Sequence, residues 1–268
     1  MGNCRVKPAE KSGVPEGIPD LLVSAPGKSG VTPRLAWLEG DKSDGAYGEF
    51  VGEARRIARE WTGGGRGAGG YNALLVGLDR PVTEFDVAVM NSLEMAEGGV
   101  DESIWGAYRE GEAKWRDYLS DDGAMGDVVR KFHARSKAEI SGSVNAVLNT
   151  LNNNPLRAGM AGLVADAHWQ VVMEIHPFHD RNERTAQRLV SVFLGRAGWP
   201  PFRPEYGSDE WEEYIRSETG KDQALYVNLK PGSPYPASYD ERHSPYRKEC
   251  FGRFMEEYFR RRGYPKPA

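Results

Sequence analysis

The chain has 268 residues, with 35 Lys and Arg against 39 Asp and Glu and a formal net charge of −4. That length can bury one full-sized core, and the charge balance speaks against a dedicated nucleic-acid binder. No run reaches the length of a membrane span and no secretory leader is visible; Cys4 and Cys250 sit near opposite ends, so no disulfide framework is implied and a cytoplasmic setting is expected.

In chain order, residues 1–45 are rich in Pro, Gly, Ser and Lys and read as a mobile lead segment. Phe50, Ala54, Ile57, Ala58 and Trp61 then fall on one helical face. The stretch Gly63-Gly64-Gly65-Arg66-Gly67-Ala68-Gly69-Gly70 breaks that pattern. It lacks the Gly-Lys-Ser/Thr of a phosphate loop, so a flexible linker is expected. Phe85, Val89, Leu93 and Ala96 mark a second helix, and Ile104, Tyr108, Trp115 and Leu119 a third. Ile140, Val144, Val147, Leu148 and Leu151 mark a fourth, ended by Asn152-Asn153-Asn154.

Asn154 with Pro155 makes an N-cap and first position for the next helix. Its stripe of Met160, Leu163, Val164, Ala167, Val171 and Ile175 runs into His176. Ala186, Leu189, Val190, Phe193, Leu194 and Ala197 form the stripe after it, closed by Gly198. A last helix is expected around 246–262 with Phe251, Met255, Tyr258 and Phe259 on one side. Its Arg260-Arg261-Arg262 run reads as a solvated helix end, complementing the exposed carbonyls. Period-two alternation is scarce, so the expected class is all-α with at most a short hairpin. The domains read as a helical unit over 46–230 with its motif core at 155–200, and a C-terminal extension over 231–268.

Between the two long striped helices lies the polar run His176-Pro177-Phe178-His179-Asp180-Arg181-Asn182-Glu183-Arg184. It opens a helix, whose free N–H groups attract anions. Arg184 stands in the first turn, where the helix dipole prefers an acid, which points to an anionic ligand nearby. Asp180 is a hard oxygen donor suited to Mg²⁺, and His176 could act as a general base near neutral pH. Ordinary helix capping and turn formation would use the same residue types. A metal site of His176, His179 and Asp180 would strain tetrahedral geometry, because all three come from one loop.

The pattern His-Pro-Phe-x-Asp-x-Asn-x-Arg resembles the Fic/Doc family signature, His-Pro-Phe-x-(Asp/Glu)-Gly-Asn-Gly-Arg, matched at His176, Pro177, Phe178, Asp180, Asn182 and Arg184. The resemblance implies a Fic-type helical bundle with a short β-hairpin flap, placed near Asp121-Asp122-Gly123. It also implies a transferase moving AMP from ATP to a Ser, Thr or Tyr hydroxyl of a target protein. Carried over, His176 would be the base and Asp180 would hold Mg²⁺. Asn182 with its neighbouring N–H groups would form the anion hole, Arg184 would pair with distal phosphates, and Phe178 would fix the loop.

Both motif glycines are replaced, by Arg181 and Glu183. Arg181 adds charge to the phosphate site, whereas Glu183 would repel phosphate unless it points away or pairs with an arginine. The family's second arginine is Gln187 here, with Arg188 one residue later. Doc-type members also replace both glycines and are kinases. The silencing pattern of many Fic proteins, (Ser/Thr)-x-x-x-Glu-(Gly/Asn), is met in letters at Ser12 to Gly17, where Pro15 would interrupt a helix, and missed by one residue at Ser92 to Gly98.

Met1-Gly2-Asn3-Cys4 is similar to a doubly acylated start, myristate on Gly2 and palmitate on Cys4, although Val6 stands where Ser or Thr is favoured. That start, with His168-Trp169 and Pro200-Pro201-Phe202-Arg203, resembles Fic-like effectors of plant-pathogenic bacteria such as avirulence protein B. The likeness implies delivery into a host cell, membrane association and a nucleotide sugar as alternative donor. A Fic fold that only binds is the remaining alternative.

Overall fold

A computed structural model describes residues 33–110, 136–154, 160–204, 207–211, 213–214 and 238–263, with the backbone of 115–118 and 125–128. Helix α1 (Asp44–Gly63) starts where the Ser43 side chain accepts from Ala46 N, and it buries Phe50, Ala54, Ile57, Ala58 and Trp61. Helix α2 is Gly67–Gly77 and α3 is Glu84–Glu97. Thr83 and Asp86 form a capping box for α3, as Ser136 and Glu139 do for α4 (Lys137–Asn153). Helix α5 (Met160–Trp169) continues as a π-helical turn, Gln170–Ile175. Helix α6 is Asn182–Arg196 and α7 is Ser238–Arg261. Strands β1 (Trp115–Tyr118) and β2 (Met125–Val128) pair antiparallel, Trp115 opposite Val128. Among the described residues the class is therefore all-α with one short hairpin, and no helix is long and apolar enough to cross a membrane.

Helix α3 is the axis of the bundle. It is buried on every face from Glu84 to Met95 and packs against α1, α2, α4 and α6. A helix so enclosed must satisfy each polar side chain it carries. Glu84 accepts from Trp37 Nε1 at 2.9 Å, Tyr108 Oη at 2.6 Å, Ser141 Oγ at 2.9 Å and Asn145 Nδ2 at 2.8 Å. Asp86 pairs with Arg80 at 2.7 Å and accepts from Tyr71 Oη at 2.9 Å. A second aromatic cluster joins α5 to α7, with the His168 ring stacked on Phe251 at 4.9 Å and Phe202 against Tyr258 at 4.9 Å. The Arg260–Arg262 run is exposed but paired: Arg261 meets Glu257 and Glu213, and Arg262 meets Glu210.

Three sequence expectations need correction. The core reaches into the expected lead segment, since Leu35 and Trp37 are buried in it; residues 1–32, with Gly2, Cys4 and the Ser12 to Gly17 stretch, lie outside the described residues. The glycine run is no linker, because α2 begins at Gly67 with a positive φ of 54°. A Cβ there would collide with the Glu97 carboxylate, which accepts from Ala68 N at 2.6 Å and so caps α2. The helix expected through Ile104, Tyr108, Trp115 and Leu119 is absent. A short 3₁₀ turn (Glu102–Ile104) ends there, Gly106 takes a φ of 63°, and Tyr108 forms a β-bridge with Phe178. Asn154 closes α4, and Pro155 lies outside the described residues.

Candidate functional site

The π-helical turn delivers the motif. Its hydrogen bonds skip one residue further than in an α-helix, so His176 N donates to Val171 O at 2.9 Å and the chain leaves the helix abruptly. His176 takes a left-handed conformation (φ 45°, ψ 62°), a costly choice for a side chain with a Cβ. Its Nδ1 lies 3.0 Å from Val172 O, and a carbonyl can only accept. Nδ1 therefore carries the hydrogen in the neutral ring and Nε2 the lone pair, the tautomer a general base needs.

Neighbouring elements hold the loop. Arg109, buried, donates from Nε to His176 O at 2.7 Å and from its backbone N to Pro177 O at 2.8 Å. The Phe178 ring lies 5.5 Å from Tyr108 in the core. Asn182 turns its amide inward: Oδ1 accepts from Phe178 N and Nδ2 donates to Phe178 O, both at 2.9 Å. Its side chain closes the loop as a pin, so its amide is used within the loop. Asn91, on α3, donates to Asp180 O at 3.0 Å and Thr185 Oγ1 at 3.1 Å and accepts from Gly106 N at 3.1 Å. One buried amide thus fixes Asp180, the start of α6 and the 106 turn together.

The two replaced glycines have distinct solutions. Arg181 adopts a φ of 60°, so it keeps the backbone shape a glycine would supply. Its guanidinium lies across Gly98, the C-cap of α3, where a Cβ would collide with it. A cation at that helix end complements the exposed carbonyls. Glu183 points into the protein. Gln187 Nε2 donates to its Oε1 at 3.3 Å, and the Tyr214 hydroxyl lies beside its carboxyl. Burial pushes the Glu183 carboxyl up to about 7, against the pull of the Tyr214 hydroxyl and the Arg184 charge. Tyr214 Oη in turn lies 3.2 Å from His168 Nε2, and burial pushes that imidazole down to about 3.

The remaining charges sit along the first turns of α6. Arg184 is half exposed, 3.9 Å from the buried carboxylate of Glu94, which Arg188 Nε bonds at 2.5 Å. The Asp180 carboxylate is exposed, with Oδ1 accepting from Arg181 N at 2.7 Å. One exposed carboxylate fits Mg²⁺ held mainly by phosphate and water. No group of three or more His, Cys, Asp or Glu among the described residues could enclose a metal, so His176, His179 and Asp180 do not form such a site.

Asn91, Glu94, Arg109 and Tyr214 were missed by motif reading. The first two had a signal: polar residues inside the apolar run Val87-Ala88-Val89-Met90-Asn91-Ser92-Leu93-Glu94-Met95 of a helix buried all round. Glu97, considered for the silencing pattern, caps α2, and it is Glu94 that meets Arg184.

No family model and no curated protein sequence matches the chain. Solved structures similar to it include a Fic-domain-containing signaling protein from Bacteroides thetaiotaomicron, at 19% identity and a TM-score of 0.39, over 81% of this chain and 72% of that one. Fic-1 from C. elegans is similar at 18% identity and a TM-score of 0.43, over 82% of this chain and 53% of that one, about half of its length.

Proposed function

We propose that the protein is a Fic-type transferase that moves AMP, or a related phosphate-containing group, from a nucleotide to a Ser, Thr or Tyr hydroxyl of a target protein. The observation that supports this most is the treatment of the two replaced glycines. Arg181 holds the positive φ of a glycine, and Glu183 is turned towards Tyr214 and Gln187, with its carboxyl raised to about 7 by burial. Neither replacement places a carboxylate against the anion-binding start of α6.

His176 Nε2 would take the proton of the attacking hydroxyl, whose oxygen bonds to phosphorus as the bond to the leaving phosphate breaks. The N–H groups opening α6 and the Arg184 guanidinium would stabilise charge on the phosphate oxygens. Asp180 would hold Mg²⁺, which when bound neutralises phosphate charge. Arg109 and Asn91 would position the loop without touching substrate.

The test is mass spectrometry of host and bacterial lysate proteins after incubation with Mg²⁺ and ATP, and in parallel with UDP-sugars. An AMP adduct that disappears in His176→Ala supports the reading; an adduct unchanged in that variant refutes it. A sugar adduct would instead support the glycosyltransferase alternative. Arg184 standing 3.9 Å from Glu94 favours one further reading, a fold that only binds, because that carboxylate competes with phosphate for the cation. In that case no adduct forms with either donor.

A further inference from the structure

The helix that delivers the motif ends on a left-handed residue, and such an ending calls for a definite hydrogen bond. With His176 left-handed, the amide of the next residue is the one that reaches back to the carbonyl of Val172. Residue 177 is proline and has no N–H to give. In a continuing α-helix His176 N would serve Val172 O, but the π-helical turn sends it to Val171 O at 2.9 Å. Val172 is fully buried, where a carbonyl without a donor is costly.

The His176 ring supplies the donor, with Nδ1 3.0 Å from Val172 O. The carbonyls that follow are taken by Arg109. Its Nη2 donates to Ile175 O at 3.4 Å, its Nε to His176 O at 2.7 Å and its backbone N to Pro177 O at 2.8 Å. Arg109 thus closes the end of the helix from outside and leaves Val172 O to the imidazole. A left-handed backbone suits glycine far better than histidine, so the conformation at His176 is held by these contacts against its own preference.

We propose that Pro177 is a positioning residue for the base. By withholding the amide that a left-handed helix ending calls for, it reserves the Val172 carbonyl for His176 Nδ1 and so fixes the tautomer and direction of the ring. The imidazole completes the helix end in place of an amide, and the nitrogen left to act as base is Nε2. The hydrogen-bond arrangement stands by itself; its consequence for transfer rests on the transferase reading above.

The test is ¹H–¹⁵N correlation of the imidazole nitrogens in the labelled full chain at about pH 8.5, where a histidine of ordinary pKa is neutral. His176→Gln identifies the His176 signals among the 5 histidines. The wild type is expected to carry the ring hydrogen on Nδ1. Pro177→Ala supplies an N–H for Val172 O, so the ring should lose its fixed partner and the hydrogen should appear on Nε2 as well. Transfer by that variant should fall about tenfold or more in kcat with KM little changed. A second comparison removes the imidazole. His176→Gly suits the left-handed backbone but leaves Val172 O without its donor, and adding Pro177→Ala restores one. The double variant should therefore melt above His176→Gly, whereas Pro177→Ala alone should melt below the wild type. A wild-type ring with its hydrogen on Nε2 would overturn the proposal, as would an unchanged Nδ1 hydrogen in Pro177→Ala or a double variant that melts below His176→Gly. The melting comparison decides even where Pro177→Ala alone does not fold. Failure of the transferase reading looks different: no His176-dependent adduct, with the tautomer and melting results as expected.

Discussion

The half-buried Glu183 carboxyl and the buried His168 imidazole, on either side of Tyr214, make a pH prediction with a definite sign. The Glu183 carboxyl is raised from 4.5 to about 7 in the folded protein, and the His168 imidazole is lowered from 6.5 to about 3. Stability changes with pH in proportion to protons bound in the unfolded state minus those bound in the folded state. Between pH 4.5 and 6.5, Glu183 is protonated only when folded, so its contribution falls as pH rises. In the same window His168 is protonated only when unfolded, so its contribution rises. Each slope is about 1.4 kcal/mol per pH unit, and the two cancel. Glu183→Gln keeps an amide for Tyr214 and removes one slope. The variant should then lose about 2–3 kcal/mol relative to wild type as pH falls across that window, roughly 5–10 °C in Tm. His168→Phe should show the opposite slope. The assay is thermal unfolding by circular dichroism at half-unit pH steps. A Glu183→Gln curve parallel to the wild type would refute the argument, because it would mean that Glu183 is ionised alike in both states.

Three further outcomes follow from the geometry. Asn91→Ala leaves Gly106 N and Asp180 O without the partner that joined them; at about 1–3 kcal/mol for each buried group it should cost about 2–5 kcal/mol, read by chemical unfolding, and also reduce transfer by loosening Asp180. Glu94→Gln removes the buried charge that holds Arg188 and Arg184, so it should cost about 3–5 kcal/mol of stability, read by chemical unfolding. Arg181→Ala should destabilise by about 0.3–1 kcal/mol, and a double-mutant cycle with Gly98→Ala should be non-additive, because both changes act on one contact at the end of α3.

The helices that frame the site were legible because their apolar residues repeat at three and four. Phe50 to Trp61, Phe85 to Ala96 and Ile140 to Leu151 need only local periodicity, and caps such as Thr83 with Asp86 mark where they begin. What periodicity hides is approach between segments distant in sequence. The Gly63–Gly70 run has the composition of a linker, yet Gly67 is glycine because Glu97 comes close from thirty positions downstream. Tyr108 has helical spacing from Ile104 but is claimed by Phe178 through a bridge spanning seventy positions. In both places a tertiary contact outweighs a local preference worth about 1 kcal/mol or less.

The same distinction governs the motif. Residue types alone point to a helix start suited to anions with an imidazole before it, because helix ends, carboxylates and imidazoles carry their chemistry with them. They do not give the direction of Glu183. On α6 its carboxyl could face the phosphate site or the interior, and the outcome depends on Tyr214, brought in from beyond the helix, and on Gln187 one turn along. Gln187 Nε2 donates to Glu183 at 3.3 Å and carries no charge of its own. An arginine at 187 would hold Glu183 ionised and draw charge away from the ligand, whereas glutamine leaves the carboxyl to be neutralised by burial. Arg188, one residue further on, turns to the buried carboxylate of Glu94 and so, among the described residues, leaves Glu183 without a close cationic partner on its own side of the helix other than Arg184.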